Sequence, residues 1–342
     1  MSNIGVIGAG YWGKNLIRNF YELGALYAVC DSNEKILNTV KEKYKSIKLY
    51  TDYKKMLRNK KIDGVVIATP AGTHFKIARD VIRRDKNVFV EKPLATSYKE
   101  SMKLIEMAEK RNLILMVGYT FLYNAAIEKI KELLNKKEIG DVYYIYSQRL
   151  NLGKIRSDTN VWWNLAPHDV SIILYLINKE PREVIGVGFS YIQDGIEDVV
   201  NASIRFEDNS SAFIQVSWLS PNKIRKMTIV GSKKMITYDD TSSDMKVQVY
   251  DKGIDKEHRE YKLKEYEDFG QFQLIQRAGD IYIPKINFIE PLKKECAHFV
   301  ECIREKKEPL TSGKNTINVM RVLEGVSKSI KYRGRLIKLE AL

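Results

Sequence analysis

The chain has 342 residues, 44% of them hydrophobic and 29% charged, and its 57 Lys and Arg against 43 Asp and Glu give a net charge of +14. That length and apolar content fit two globular domains, because single cores stop growing at roughly 250–300 residues. No apolar run approaches the ~18 residues of a membrane span. No leader pattern opens the chain, and Cys30, Cys296 and Cys302 are too few for a disulfide framework, which points to a reducing cytoplasm. The lysines are interleaved with glutamates and no nucleic-acid motif is present, so the positive excess points to an anionic small molecule, with nucleic acid and membrane set aside.

Residues 1–120 alternate short β-branched runs with amphipathic segments. Ile4–Ile7, Tyr27–Cys30, Val65–Ala68, Val88–Val90 and Ile114–Val117 read as buried strands, with helices such as Lys14–Leu23 and Lys76–Arg84 between them. This alternation predicts a doubly wound parallel sheet. From residue 121 to 342 the pattern changes. A basic helix over Ala125–Leu134 precedes strands at Val142–Leu150, Val184–Ile192, Val199–Phe206, Ala212–Trp218 and Met227–Val230, interrupted by one helix, Pro167–Leu176. Short turns such as Asp208-Asn209-Ser210 predict a large, mostly antiparallel sheet in an α+β domain. Residues 251–285 read as loop. Helices over Pro291–Glu305 and Thr316–Lys328 follow, the second expected to pack back on the first domain. Val142, Tyr144 and Tyr146 alternate with Tyr143 and Ile145, so both faces of that strand carry large side chains. One face is then left apolar and open, which predicts a homo-oligomer, a dimer or tetramer.

Gly8-Ala9-Gly10-Tyr11-Trp12-Gly13 follows the first strand and opens the first helix. Gly8 permits the tight turn, Gly10 lets backbone approach a pyrophosphate, and Gly13 allows helix to pack on sheet. Asp31 ends the second strand, 18 residues past Gly13, where a carboxylate accepts from the adenosine ribose hydroxyls. It repels a 2′-phosphate, and Ser32-Asn33 supplies no arginine, so NAD is expected over NADP. Two further turns follow strands: Thr69-Pro70 with His74, and Glu91-Lys92-Pro93, where Pro93 biases Lys92 toward extended geometry.

These motifs, with Gly118-Tyr119, occur in this order and spacing in the Gfo/Idh/MocA oxidoreductase family, which the chain resembles over nearly its whole length. Glu290-Pro291-Leu292, Phe299 and the Pro309–Gly325 stretch are similar to the family's C-terminal region. The resemblance implies a Rossmann domain that binds NAD through Gly8, Gly10, Tyr11, Trp12, Gly13, Asp31, Thr69, Pro70, His74, Glu91 and Lys92. It also implies that Lys92 is the catalytic lysine, with a cis Lys92–Pro93 bond. His168 matches the family's catalytic histidine, and Asn164 stands where the family usually has aspartate. Pro167 places His168 near a helix N-terminus, whose dipole favours neutral imidazole, a proton acceptor. Lys92 and His168 are expected to converge on one cleft. Tyr119, Asn124, Arg149, Asn151, Arg156 and Trp163 join Asn164 and His168 as candidate substrate contacts. Cys296, His298 and Cys302 lack metal-ligand spacing, and no metal is expected.

The Asn151–Arg156 stretch and Trp162–Asp169 are similar to family members acting on UDP-linked N-acetylated sugars in polysaccharide biosynthesis, which implies oxidation at C3. The alternatives are a glycosidase that oxidises C3 transiently, a free-sugar or inositol dehydrogenase, and a non-catalytic NAD-binding regulator.

Overall fold

The computed structural model describes residues 2–153, 155–254 and 276–339, so Lys154 and most of the expected 251–285 loop lie outside the described residues. The chain separates into two compact units, one of residues 1–124 and 289–324, the other of residues 125–288 and 325–342. A single boundary at residue 120 therefore gives way to a chain that leaves the first unit and returns to it.

In the first unit β1 (Ile4–Ile7), β2 (Leu26–Cys30), β3 (Lys48–Tyr50), β4 (Gly64–Ile67), β5 (Asn87–Glu91) and β6 (Leu115–Gly118) form a parallel sheet in the order β3-β2-β1-β4-β5-β6. The connections carry α1 (Gly13–Glu22), α2 (Glu34–Lys43), α3 (Tyr53–Leu57), α4 (His74–Ile82) and α5 (Tyr98–Glu109). Asn33, Asp52 and Ser97 cap α2, α3 and α5 through side-chain oxygens, satisfying N–H groups that a helix start leaves open. β1, β4 and β6 are buried along their whole length, as a sheet covered on both faces requires.

The second unit opens with α6 (Ala125–Asn135) and β7 (Val142–Leu150), then α7 (Val161–Ile177), β8 (Pro181–Phe189), β9 (Val199–Phe206), β10 (Ser211–Ser217), β11 (Ile224–Gly231), β12 (Met235–Asp239), β13 (Val247–Ile254) and β14 (Gln276–Tyr282). With β15 (Ile337–Lys338) these strands make a sheet ordered β14-β13-β12-β11-β7-β10-β9-β8-β15, antiparallel except for the central β7–β10 pair. The stretch read as loop thus starts and ends in strands. Its polar, aromatic composition hid them because both lie at the sheet's margin, away from the apolar centre.

α8 (Pro291–Glu305) carries the chain back into the first unit. Its Leu292, Cys296 and Phe299 are buried in the core that holds Leu16, Phe20 and Phe89. The Phe299 ring meets those of Phe20 and Phe89 edge-on, centroids 6.5 and 5.6 Å apart, the arrangement favoured by ring quadrupoles. α9 (Gly313–Lys331) is one helix shared between the units: residues to Glu324 belong to the first, the rest to the second. In the second unit Gly186 and Gly188 of β8 leave room for Val326 and Ile330, which an added Cβ would meet at 2.6 and 3.3 Å. Among the described residues no helix is long and apolar enough to cross a membrane. Phe299→Ala removes the ring at the centre of this core and is expected to destabilise the first unit by about 3–5 kcal/mol, measured by urea unfolding.

Candidate active site

The turns after β1, β2, β4 and β5 are stitched together by side chains. Gly8 has φ +93°, and a Cβ there would lie 2.7 Å from the Ala68 carbonyl oxygen. A Cβ on Gly13 would lie 1.9 Å from the Gly8 oxygen, whereas one on Gly10 would meet nothing within 4 Å. The protein's own packing therefore demands Gly8 and Gly13. The bare backbone at Gly10 instead leaves an approach to the start of α1, where unpaired N–H groups suit a pyrophosphate. Asp31 accepts from the Ala9 N–H through Oδ2 (2.8 Å) and from the Asn33 N–H through Oδ1 (2.9 Å). Each oxygen keeps a second lone pair for a ribose hydroxyl. This set fits NAD. Tyr11, beside it, is 85% exposed.

The Trp12 indole N–H donates to Glu91 Oε1 at 2.5 Å. Glu91 is buried, and a Cβ on Gly118 would come within 2.8 Å of its Oε2, which explains that glycine. On α8 the buried Glu295 accepts from the Thr120 hydroxyl at 2.6 Å. Burial raises the pKa of both carboxyls. The Trp12 hydrogen bond and the nearby Lys92 pull Glu91 back, whereas its negative charge raises Glu295 further, so Glu295 holds its proton more tightly.

The Thr73 hydroxyl donates to the Pro70 carbonyl (2.7 Å), so the 2.6 Å bond between the two hydroxyls has Thr69 as donor. His74 is buried, with Nδ1 2.8 Å from the Pro93 carbonyl oxygen and Nε2 2.8 Å from that of Thr69. Carbonyls only accept, so full engagement of both needs a doubly protonated ring. Burial, the largest influence, lowers its pKa, and the two carbonyls oppose that. His74 is thus an interior tie between turns, in place of the expected cofactor contact. Lys92 ends the β5 turn half-buried, and its bond to Pro93 is cis, as expected.

In the second unit α7 starts at Val161, six residues ahead of expectation. Asn160 caps it by accepting from the Trp163 N–H at 3.0 Å, and its amide donates to Glu197. An asparagine just before an apolar run was the overlooked signal. Pro167 consequently sits inside the helix and His168 lies beyond its first turn, so the dipole argument for a neutral ring does not apply. Asn164 and His168, four apart, share a helix face. Asn164 Oδ1 accepts from the Trp218 indole at 3.3 Å, and the Trp163 indole donates to Ser327 at 2.9 Å.

Two candidate contacts are withdrawn from solvent. Arg149 binds Asp169 at 2.5 Å (Nε to Oδ2) and 3.3 Å, with Ser147 on the same carboxylate, all three side chains buried. Removing one partner from such a pair strands a buried charge, at a cost of about 3–5 kcal/mol. Tyr119 is 2% exposed and belongs to the first unit's interior. Arg156 pairs with Asp158 on the surface at 2.6 Å, and Asn124 and Asn151 are half-buried.

Residues 2–119 match the profile of an oxidoreductase family with an NAD-binding Rossmann fold, and residues 127–237 match the GFO/IDH/MocA C-terminal domain. The chain is 24% identical to myo-inositol 2-dehydrogenase of Thermotoga maritima over 98% of both chains. It is 26% identical to UDP-N-acetylglucosamine 3-dehydrogenase of Acidithiobacillus ferrooxidans, over 78% of this chain and 86% of that one. Among solved structures, a UDP-N-acetylglucosamine 3-dehydrogenase from A. ferrooxidans has a TM-score of 0.81 at 22% identity, covering 96% of this chain and 97% of that one. Scyllo-inositol dehydrogenase from Lactobacillus casei, solved with NAD(H), has 0.79 at 17%, covering 99% of both. At these identities the structural likeness speaks for the fold.

Asp31 makes a direct prediction. NAD is expected to bind at least about tenfold more tightly than NADP, a difference of ~1.4 kcal/mol. Asp31→Ser is expected to narrow that gap. Titration of both nucleotides checks this, and equal affinity in the parent protein removes the argument.

Proposed function

The chain belongs to the Gfo/Idh/MocA oxidoreductases, NAD-dependent enzymes acting on CH–OH groups, and we propose that its substrate is a nucleotide-linked sugar such as UDP-N-acetylglucosamine or its uronate, oxidised at C3. The observation that carries this reading is the 151–156 segment after β7, which ends in Arg156. Among the described residues that guanidinium is held by an exposed pair with Asp158. Such a pair is worth little in water, so a diphosphate can displace Asp158 and take the two parallel donors. The net charge of +14 supports an anionic substrate in the same way.

Bound NAD supplies the hydride acceptor, and the protein orients substrate and moves the proton. His168 takes the hydroxyl proton as the C–H hydride leaves, turning the carbinol into a carbonyl. Lys92, the catalytic lysine by family resemblance, would stabilise the developing alkoxide. Asn164, fixed by Trp218, orients His168 or a sugar hydroxyl.

The inositol dehydrogenase relative, matched end to end at similar identity, favours a neutral polyol as the second reading. A panel of UDP-N-acetylglucosamine, its uronate, myo-inositol and scyllo-inositol, read by NADH absorbance and by release of free sugar, separates the readings. Oxidation of the nucleotide sugars is expected. Turnover of the inositols alone overturns it, and sugar release without NADH means a transiently oxidising glycosidase. Lys92→Ala and His168→Ala are each expected to lower turnover roughly 10²–10⁴-fold with NAD affinity retained. Asn164→Asp would stabilise imidazolium and move the acidic limb of the pH–rate profile to higher pH.

The outer face of the second sheet supports a homo-oligomer. Across four strands Tyr146, Phe213, Ser203 and Ile185 fall in register, and Tyr144 packs edge-on to Phe213 at 6.2 Å. All but Ser203 of these residues are exposed. Light scattering at micromolar concentration is expected to show a dimer or larger, and Tyr146→Glu is expected to weaken it. A monomeric parent protein would end this part of the proposal.

A further inference from the structure

His74 lies 1% exposed at the first position of α4, and what it touches are two turns that follow different strands. Nε2 meets the carbonyl of Thr69, two residues past β4. Nδ1 meets the carbonyl of Pro93, two residues past β5. The second contact bears on Lys92. On one side Lys92 follows Glu91, whose backbone is paired to Gly118 of β6 and whose carboxylate is held by Trp12. On the other side stands Pro93, which has no N–H and whose φ is fixed by its ring, so its carbonyl is the main-chain group left to anchor. His74 takes that carbonyl. The lysine backbone is therefore gripped before and after the residue, the second grip coming from a side chain 19 positions away.

We propose that His74 is a positioning residue for Lys92, tying the Lys92–Pro93 turn to the Thr69–Pro70 turn so that the lysine is presented from a fixed backbone. This rests on the reading of Lys92 as the catalytic lysine. A buried side chain whose two ring nitrogens face main-chain oxygens acts through the residue whose frame it sets. Displacements of about 1 Å at a reacting group cost up to ~10²-fold in rate, which makes such a tie worth conserving in the design of the site.

The test reads Lys92 itself. Competitive labelling of the full chain with acetic anhydride, with NAD bound and mass-spectrometric readout, gives a rate for each lysine. In His74→Leu the Lys92 rate is expected to change by about threefold or more, within the range for losing one net hydrogen bond. The exposed Lys14 and Lys54 are expected to keep their rates. His74→Asn, whose amide nitrogen stands where Nδ1 does and carries two donor hydrogens, is expected to restore Lys92 to within about twofold of the parent. Circular dichroism confirms folding, and if His74→Leu does not fold, His74→Gln, whose amide nitrogen stands where Nε2 does and leaves Pro93, is compared with His74→Asn instead. An unchanged Lys92 rate in a folded variant without the tie overturns the proposal, as does a change shared by Lys14 and Lys54. The labelling needs no substrate. If Lys92→Ala leaves turnover intact, the catalytic reading of Lys92 fails, while the labelling still decides whether His74 sets its frame.

Discussion

Burial leaves the Glu91 carboxylate to the protein's own donors, and the indole N–H of Trp12 supplies one 2.5 Å away. A carboxylate withdrawn from solvent costs several kcal/mol unless such donors are found, so wherever Glu91 goes, Trp12 must follow. Trp12 is the N-cap residue of α1 and the last residue before Gly13. The end of β5 and the glycine loop are thus one mechanical object. Asp31 extends it to β2 through the Ala9 N–H, and His74 extends it to β4. Turns at the end of a parallel sheet have no ladder of their own. Here three polar side chains do that work, and the backbone that meets a dinucleotide is set before any ligand arrives.

Much of this was legible in the sequence, because the features with strict local demands write themselves into residue types. The glycines, the five apolar strands and α8, whose bounds Pro291–Glu305 were expected as found, all follow from period and punctuation. What stayed hidden was fixed by distant partners. β3 is three residues at a sheet edge, Lys48 to Tyr50, with no alternation to detect. Arg149 reads as a candidate substrate contact until Asp169, 20 residues on, is brought against it. His74 reads as a histidine beside a cofactor turn until Pro93 arrives. Pro167 misled by a sound rule: proline favours a first turn, yet here the helix extends six residues upstream of it, with Asn160 as its cap.

The second unit shows the same division of labour on a larger scale. The face of β7 that carries Ile145, Ser147 and Arg149 is buried, whereas Tyr144 and Tyr146 look outward. Alternation along one strand separates an interior built around a buried ion pair from an aromatic surface. Because the strand's period is two, a one-residue slip would turn Arg149 outward, away from Asp169 on α7, and bury the tyrosines. The pair therefore acts as a register lock as much as a source of stability, since a misregistered strand would strand the Asp169 carboxylate among apolar neighbours.

The return of α8 to the first unit also has a consequence for how the chain is made. The core around Phe20 and Phe89 is closed by Phe299, so an emerging polypeptide that has reached residue 124 holds all six strands of its sheet and lacks their lid. At ~5–20 residues per second the ribosome needs about nine to thirty-six seconds more to supply that helix. Throughout that interval the apolar flank of α1 must be covered by something else. An N-terminal fragment ending near residue 124 should accordingly be a poor soluble protein. The two parts of this nucleotide-binding core are separated in the message by most of another domain, and its folding is timed by the last quarter of translation.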